Sequence, residues 1–236
     1  MTMRPAPHFF GRRKGKPLRQ RQSLLVDTLL PQLRISPADV DAFANTAAAA
    51  FDQLSLEIGF GGGEHLAFDA QSHPNVCFIG CEPFVNGVAK LLAAIDERNI
   101  PNIRIYDGDA LEILRALPEA GLRRITILYP DPWPKLRQRK RRFISHESIG
   151  LMARALCCGG EVRFATDIDD YSAWTLARFL ANDAFEWRAA VPADWKRPWA
   201  NWPGTRYEAK AIREGRTPAY LTFVRRPTRI GSGCGS

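Results

Sequence analysis

Short apolar segments alternate with longer amphipathic segments along most of the chain. Runs rich in β-branched and other apolar residues predict strands at about 54–58, 76–82, 103–106, 124–129, 161–165, 185–188 and 220–224. Apolar residues at helical spacing predict helices over about 23–33, from 36, from 64, and over 85–98, 145–156 and 170–180. Strands that alternate with helices pair in parallel through crossovers, so the pattern predicts an α/β fold with a doubly wound sheet. Such sheets bind ligands at the carboxyl ends of their strands.

The length of 236 residues is most simply that of one main domain. We expect this domain to span residues 23–228, preceded by a basic arm (1–22) that is mobile in the free protein and followed by a flexible tail (229–236). The net charge of +8 and the pI of about 9.5 favour a polyanionic partner. The charge is concentrated in two blocks, at 12–21 and 135–142, which suggests an extended anion such as folded RNA or DNA.

Cysteine and histidine spacing is not typical of a metal site. The five cysteines form no C-x-x-C pair and the four histidines are scattered, so we expect neither a zinc site nor a disulfide framework. Cys157 and Cys158 lie in an apolar stretch and are expected to be buried and reduced. No apolar leader and no run of roughly 20 apolar residues is present, which predicts a cytoplasmic protein that does not span a membrane.

Acidic residues recur at the ends of successive predicted strands. These residues are Glu57, Glu82, Asp109, Asp131 and Asp167. Aspartate is common in turns, which gives a plain structural alternative. However, parallel strands place their carboxyl ends at one edge of the sheet, so the repeated position predicts a ligand site there.

The first predicted strand leads into a glycine turn, Gly59-x-Gly61-x-Gly63. This turn resembles a dinucleotide-binding fingerprint, but Glu64 stands where the NAD form has glycine and would repel a pyrophosphate. Glu57 before the turn suits a cationic ligand instead. S-adenosylmethionine carries a sulfonium and an ammonium group and no phosphate, so it fits this turn better than NAD. The alternative is that Glu57 and the glycines only form a tight turn.

The next two acids suit the remaining parts of the same cofactor. Glu82 follows about one strand–helix unit later and can accept hydrogen bonds from both ribose hydroxyls, as the acid of dinucleotide folds does. Asp109 can accept from the adenine amino group, with the backbone N–H of Ala110 nearby. We therefore predict that Glu57, Gly59, Gly61, Glu82, Asp109 and Ala110 bind the cofactor.

A proline-rich loop, Tyr129-Pro130-Asp131-Pro132-Trp133-Pro134-Lys135, follows the fourth predicted strand. Prolines at alternate positions exclude both a helix and a central strand, so the loop is extended and stiff. Six of the eight residues from 135 to 142 are Lys or Arg. A carboxylate and an indole can hold a nucleic-acid base while the cations hold phosphates. The alternative is an ordinary loop beside a solvated charged segment.

The glycine turn and the loop together resemble the tRNA (guanine-N7-)-methyltransferase family. The resemblance rests on Tyr129 to Lys135, on Lys140-Arg141-Arg142 and on Thr205-Arg206-Tyr207-Glu208. It implies a Rossmann-like class I methyltransferase fold, with seven strands of which one is antiparallel. It also implies S-adenosylmethionine as cofactor and N7-methylguanosine in the tRNA variable loop as product. One departure is Gln138, where the family often has histidine.

The resemblance also implies residue roles. Glu57, Glu82, Asp109 and Asp131 line the cofactor site, and Asp131 is the expected catalytic residue. The residues expected to contact substrate or RNA are Lys135, Arg137, Arg139, Lys140, Arg141, Arg142, Asp167, Thr205, Arg206, Tyr207 and Glu208. Asp167 has the alternative role of a helix cap. Either Trp133 or Tyr207 is expected to stack on an extruded guanine, unless it only fills the core or the loop.

Two other functions remain open from the residues. Amino-directed nucleic-acid methyltransferases carry a related loop, but with two adjacent prolines before the aromatic residue, whereas here Pro132-Trp133-Pro134 exchanges that order. The second alternative is a non-catalytic RNA-binding subunit, against which the complete set of acids and glycines argues. The expected partner is tRNA, with the protein acting as a monomer or homodimer and without a metal.

Overall fold

One seven-stranded sheet forms the centre of the computed structural model, which describes residues 10–227. The strands are β1 Gln53–Ile58, β2 Val76–Cys81, β3 Ile103–Tyr106, β4 Leu122–Leu128, β5 Leu156–Thr166, β6 Phe185–Trp187 and β7 Ala219–Arg225. Their spatial order is β3-β2-β1-β4-β5-β7-β6, and β7 runs antiparallel to both neighbours. The sheet changes winding direction between β1 and β4, so a crevice lies at their carboxyl ends. The predicted mostly parallel α/β sheet with one antiparallel strand is confirmed.

Helices cover both faces of the sheet. They are α1 Gln20–Thr28, α2 Leu30–Leu33, α3 Val40–Ala50, α4 Glu64–Ser72, α5 Val85–Arg98, α6 Ala110–Ala116, α7 His146–Ala155, α8 Asp169–Leu180, α9 Ala193–Lys196 and α10 Arg206–Arg213, with a 3-10 helix at Leu136–Arg141. Side-chain caps fix several starts, because a cap satisfies a free backbone N–H group of the first turn. Ser145 accepts from the N–H of Ser148 at 3.1 Å, and Asp109 from that of Leu111 at 3.0 Å. Within residues 10–227, no helix combines the length and the apolar character needed to cross a membrane.

Two hydrophobic cores lie on opposite faces of the sheet. Alternate residues of one strand enter different cores, so Ile79 of β2 packs in the first core and Phe78 in the second. Both residues are at most 2% exposed. Because the central strands are buried on both faces, they are almost continuously apolar, which is why the sequence predicts them well.

Some element boundaries differ from the predictions. The helix predicted over 23–33 begins at Gln20 and is divided, with α2 carrying Pro31 in its first turn, where the missing N–H is tolerated. The helix predicted from residue 36 begins at Val40. Strand β5 starts at Leu156, five residues earlier than the predicted 161, directly after α7.

The cysteines at the start of β5 are a correction. Cys157 is half-buried and Cys158 is exposed, so the prediction that both are buried is wrong. They lie where the pairing of β5 with β4 is irregular, between Leu122 and Arg124, and Gly159 there has φ of +73°. A bulge of this kind turns side chains away from the core.

Part of the predicted basic arm contacts the start of α5. The backbone N–H of Val85 donates to the carbonyl of Arg13 at 3.0 Å. The side chain of Asn86 accepts from the N–H of Gly15 at 2.8 Å and donates to the carbonyl of Lys16 at 2.7 Å. The domain division and the mobility of the arm stay predictions, and residues 1–9 and 228–236 lie outside the described part.

Candidate active site

A cavity of about 480 Å³ opens at the carboxyl ends of the central strands. The glycine turn, the strand ends, the proline-rich loop and the start of α10 all contribute to it. Among its lining residues are Phe10, Gly11, Arg12, Gly59, Gly61, Glu82, Phe84, Asp109, Ala110, Asp131, Trp133, Lys140, Arg141, Arg142, Arg206 and Tyr207. The cavity therefore joins most of the predicted cofactor residues to several of the predicted substrate residues.

The glycine turn has a left-handed backbone packed closely against α5. Gly59 has φ of +70° and Gly61 of +58°, conformations that glycine adopts without strain. A Cβ atom added to Gly87 of α5 would lie 2.1 Å from the carbonyl oxygen of Gly61. Gly87 is thus required for the shape of the turn, and our sequence reasoning missed it. Its signal was a glycine inside an otherwise regular helical pattern.

Glu82 lies in the cavity wall with both carboxylate oxygens engaged. Its Oε2 accepts from the N–H of Gly61 at 2.8 Å and its Oε1 from that of Phe84 at 2.9 Å. Burial raises the pKa of Glu82, and the nearby charge of Asp131 adds to the rise, while the two backbone hydrogen bonds oppose it. A carboxylate has about four acceptor positions, so two remain for a ligand.

Glu57 is placed differently from the prediction. It is 3% exposed, lies outside the cavity lining, and its Oε2 is 2.7 Å from Nδ1 of His65. Burial alone would lower the pKa of His65, but the charge of Glu57 and their hydrogen bond outweigh it and raise the pKa. The pair stiffens the base of the glycine turn. His65 was missed, because a single histidine eight residues from its partner gives no sequence signal.

Asp109 and Ala110 reach the cavity at the start of α6. Asp109 caps this helix through Leu111, and Ala110 is 7% exposed. The cap fixes the carboxylate at the cavity edge, and it uses Oδ1 while Oδ2 has no described hydrogen bond. Both residues line the cavity, and their contact with adenine stays a prediction.

The proline-rich loop is held in an unusual backbone conformation. Tyr129 has φ of +49° and Trp133 of +40°, a region that non-glycine residues seldom adopt and that clusters at functional sites. Asp131 lies between them, open to solvent at the cavity mouth. Protein atoms around its carboxylate nevertheless raise the pKa of Asp131 by desolvation. The guanidinium of Arg141 covers the Trp133 ring at 4.9 Å and the Phe10 ring at 5.3 Å.

The basic run after the loop divides into exposed and engaged cations. Lys135 and Arg137 are exposed and lie outside the cavity lining, whereas Lys140 is exposed at the cavity edge. Arg139 forms an ion pair with Asp170 at 2.6 Å. The exposed members retain N–H groups that can meet phosphates.

Arg142 is the exception within this run, because it is buried. It is 3% exposed, and its Nε donates to the carbonyl of Pro132 at 2.7 Å. The guanidinium also pairs with Asp170 and lies 4.8 Å from the Tyr171 ring centre and 4.9 Å from that of Trp174. In this structure Arg142 holds the proline-rich loop in place, which argues against the predicted contact with RNA.

In the Thr205–Glu208 segment at the start of α10, the two end residues cap the helix and the two middle residues face the cavity. Thr205 and Glu208 form a reciprocal capping box, and Glu208 additionally accepts from Nε1 of Trp202 at 2.6 Å and from the hydroxyl of Tyr220. Glu208 is 7% exposed and lies outside the cavity lining. Arg206 and Tyr207, between them, line the cavity. The cap therefore positions the two residues that face the site.

Asp167 does not line the cavity. Its Oδ2 lies 2.5 Å from Nε of Arg216, a residue 49 positions later in the chain. The alternative that Asp167 caps α8 is wrong, because the capping position belongs to Ile168 and no side chain caps this helix. Across residues 10–227 no group of three or more histidine, cysteine or acidic side chains could hold a metal ion.

Comparison with known proteins identifies relatives over most of the chain. A putative methyltransferase family matches residues 52–221. The protein is 52% identical over 220 residues to a tRNA (guanine-N(7)-)-methyltransferase of a Chelativorans species, covering 92% of this chain and 94% of the relative. It is 53% identical to the tRNA (guanine-N(7)-)-methyltransferase of Agrobacterium fabrum, covering 92% and 95%.

Solved structures with similar folds include rRNA methyltransferases at low sequence identity. The 16S rRNA methyltransferase KamB has a TM-score of 0.56 at 17% identity, covering 79% of this chain and 94% of the neighbour. A 16S rRNA (adenine(1408)-N(1))-methyltransferase from Catenulisporales acidiphilia, solved with the cosubstrate SAM, has a TM-score of 0.52 at 14% identity, covering 83% and 93%. These likenesses show the class I methyltransferase fold. The relatives above 50% identity show that the chain belongs to the tRNA (guanine-N(7)-)-methyltransferase family.

Proposed function

We propose that the protein methylates N7 of a guanine in the variable loop of tRNA with S-adenosylmethionine as methyl donor. The observation that carries this proposal is the composition of the cavity. One wall presents glycines and hydrogen-bonded acids, and the other presents a carboxylate, aromatic rings and cations. Relatives more than 50% identical bear the corresponding activity in their names, which supports the same reaction for this chain.

The residues at the glycine turn fit S-adenosylmethionine. When bound, it supplies a methyl group activated on a sulfonium. Glu82 retains two acceptor positions. They can accept hydrogen bonds from the two vicinal hydroxyls of the ribose. Asp109 and the N–H of Ala110 offer an acceptor and a donor suited to adenine. At Gly59 the space that a Cβ would occupy is open, since no other described residue has an atom within 4 Å of it. Glu57 would act through His65 and the turn, not by direct contact.

Guanine N7 carries an in-plane lone pair and no proton, so its methylation requires no general base. The task left to the protein is to hold the base so that N7 faces the methyl group in line with the leaving sulfur. Asp131, at the cavity mouth, can accept hydrogen bonds from the Watson–Crick edge of the base. The methylated ring is cationic, and the fixed carboxylate of Asp131 stabilises that charge as it develops.

The other side chains of the cavity wall that contains Asp131 suit an extruded nucleotide. A stacked base must leave its helix to react, at a cost of a few kcal/mol, which aromatic contacts offset. Trp133 and Tyr207 both border the cavity and can stack on the base. Arg206, whose guanidinium lies 4.9 Å from the Tyr207 ring centre, and Lys140 are placed to meet the flanking phosphates.

The test is methyl transfer from labelled S-adenosylmethionine to unmodified tRNA by the purified protein. One tRNA carries guanine at the variable-loop position and a matched tRNA carries adenine there. We expect label on the first RNA alone, released as N7-methylguanine. Label on both RNAs would contradict the assigned position, and label on an exocyclic amino group would support the amino-directed alternative. Cofactor binding without transfer to either RNA would contradict the proposed substrate.

A further inference from the structure

A second groove, of about 420 Å³, lies beside the active-site cavity on the surface formed by α8 and the 3-10 helix. We call it the α8 groove and define it by Leu136, Lys140, His146, Trp174 and Arg178. Lys140 lines both the groove and the active-site cavity. The two spaces are therefore neighbours on one continuous surface.

Arg178 is the central feature of the α8 groove. Its guanidinium stacks on the indole of Trp174, with the central carbon 3.1 Å from the ring centre. No carboxylate of residues 10–227 lies within ion-pair distance of Arg178, and its one described hydrogen bond goes to the carbonyl of Trp174 at 3.5 Å. Burial, followed by the positive charge of Arg142, lowers the pKa of Arg178. Arg178 is thus a cation with a fixed orientation and, among residues 10–227, without a neutralising carboxylate.

The charged residues around the groove are of one sign. Its charged lining consists of Arg139, Lys140, Arg142 and Arg178. Asp170, which forms ion pairs with Arg139 and Arg142, does not line the groove. Leu136, in the same lining, is 77% exposed, which is unusual for leucine. Such a surface suits an extended anion that also carries apolar faces, which describes the sugar-phosphate backbone of RNA.

We infer that the α8 groove binds the backbone of the nucleotides next to the target guanine, with one phosphate held by Arg178. This inference rests on the proposed function. Stacking on Trp174 fixes the guanidinium plane, and the edge formed by Nε and Nη2, opposite the Nη1 that donates to the Trp174 carbonyl, can give two parallel hydrogen bonds to phosphate. Lys140, on the border, meets the phosphate between the groove and the cavity. Leu136 covers the adjoining ribose.

The experiment compares Arg178→Ala with Arg98→Ala, a matched control that removes an exposed arginine from the far end of α5. Dissociation constants for tRNA are measured at several salt concentrations, together with the constant for S-adenosylmethionine. We expect Arg178→Ala to weaken tRNA binding about tenfold at low salt and to reduce the slope of log K against log salt by about 1. Cofactor binding should stay at the wild-type value, and Arg98→Ala should behave as wild type throughout.

Phosphate ethylation interference gives a second readout that a purely structural role would not change. In wild type, ethylation of a phosphate next to the target guanine should block tRNA binding. In Arg178→Ala, ethylation of that one phosphate should no longer affect binding. If Arg178→Ala loses cofactor binding, Arg178→Gln replaces it, because its planar amide can still lie on Trp174 without a charge. The inference would be overturned if Arg178→Ala kept the wild-type salt slope and the wild-type interference pattern. It would also be overturned if the variant bound tRNA more weakly with an unchanged salt slope. A wild-type protein that fails to methylate tRNA would instead overturn the proposed function.

Discussion

The two walls of the active-site cavity are built in different ways. The glycine wall, formed by Gly59, Gly61, Glu82 and Asp109, is held mainly by backbone N–H groups at the ends of strands. The loop wall, formed by Asp131, Trp133, Arg141, Arg206 and Tyr207, is held by side chains stacked on one another over a strained backbone. The first wall is fixed by backbone hydrogen bonds at the edge of the sheet, whereas the second depends on contacts between side chains.

This difference predicts how each wall responds to substitution. A hydrogen bond between a carboxylate and a backbone N–H forms as soon as the strand and its turn are in place, so the glycine wall exists before any ligand arrives. The loop wall contains cations and rings whose surfaces remain available to a partner. Changes in the glycine wall should therefore act on cofactor binding, and changes in the loop wall on turnover and tRNA binding.

The largest expected effect is at Asp131. Asp131→Asn keeps the shape and one acceptor but removes the charge that stabilises the methylated base, so kcat should fall about 100-fold. The dissociation constant for S-adenosylmethionine should change little. Asp52→Asn, an exposed change at the opposite end of β1, is the control and should leave both values unchanged. Near-normal kcat with weakened cofactor binding would show that Asp131 acts with the glycine wall. That result would contradict the division of roles between the two walls.

The pH dependence of the same residue sharpens this test. Because desolvation raises the pKa of Asp131, its carboxylate is protonated at a higher pH than an ordinary aspartate. The charged form is the active one, so kcat should decline as pH falls through this raised pKa, and Asp131→Asn should lack that decline. A raised carboxyl pKa also means that ionisation disfavours the folded state. Above this pH range Asp131→Asn should therefore unfold at a higher temperature than wild type while it turns over more slowly.

Arg142 should have the next largest effect, on folding. Arg142→Ala leaves the carbonyl of Pro132 without its donor and removes a buried cation between two aromatic rings. We expect the free energy of unfolding to fall by about 3 kcal/mol in denaturant titrations. Arg137→Ala, an exposed change in the same basic run, is the matched control. It should retain wild-type stability and weaken tRNA binding instead, and equal stabilities of the two variants would contradict the scaffold role of Arg142.

The contrast between these two arginines shows where sequence reasoning ends. The seven strands are predictable because burial on both faces makes the central ones continuously apolar. The repeated acids at their ends predict the edge that carries the site, and Glu82, Asp109 and Asp131 do line the cavity. A run of cations, in contrast, contains no information on which member is buried, because that depends on rings contributed by α8.

The same limit applies to the acids that do not reach the cavity. Glu57 is paired with His65 and Asp167 with Arg216, and neither partner carries a pattern that marks it. Whether a carboxylate at a strand end faces a ligand or a neighbouring cation is decided by tertiary packing. The sequence predicts the edge of the sheet, and the side-chain partners then select which acids are available there.

Glu82→Gln tests the glycine wall with an effect of intermediate size. The substituted amide has one oxygen, so it can accept from Gly61 or from Phe84 but not from both as the carboxylate does. The amide also has fewer oxygen lone pairs left to accept hydrogen bonds from the ribose hydroxyls. We expect the dissociation constant for S-adenosylmethionine to rise about tenfold or more in calorimetry, with the tRNA constant unchanged. An equal loss of tRNA binding would show that the two walls are coupled.

The smallest expected effect concerns the N-terminal segment, which contacts the start of α5, next to the glycine wall, and the loop wall. Asn86 holds the backbone of Gly15 and Lys16 against the start of α5, while Phe10 packs on Arg141 of the loop wall. Asn86→Ala removes two hydrogen bonds at a half-buried position, each worth about 1 kcal/mol. The Michaelis constants for cofactor and tRNA should both rise a few-fold, whereas Asn75→Ala, in a turn remote from the cavity, should change neither. If only the tRNA constant rises, the segment belongs to the loop wall alone, and the glycine wall is complete without it.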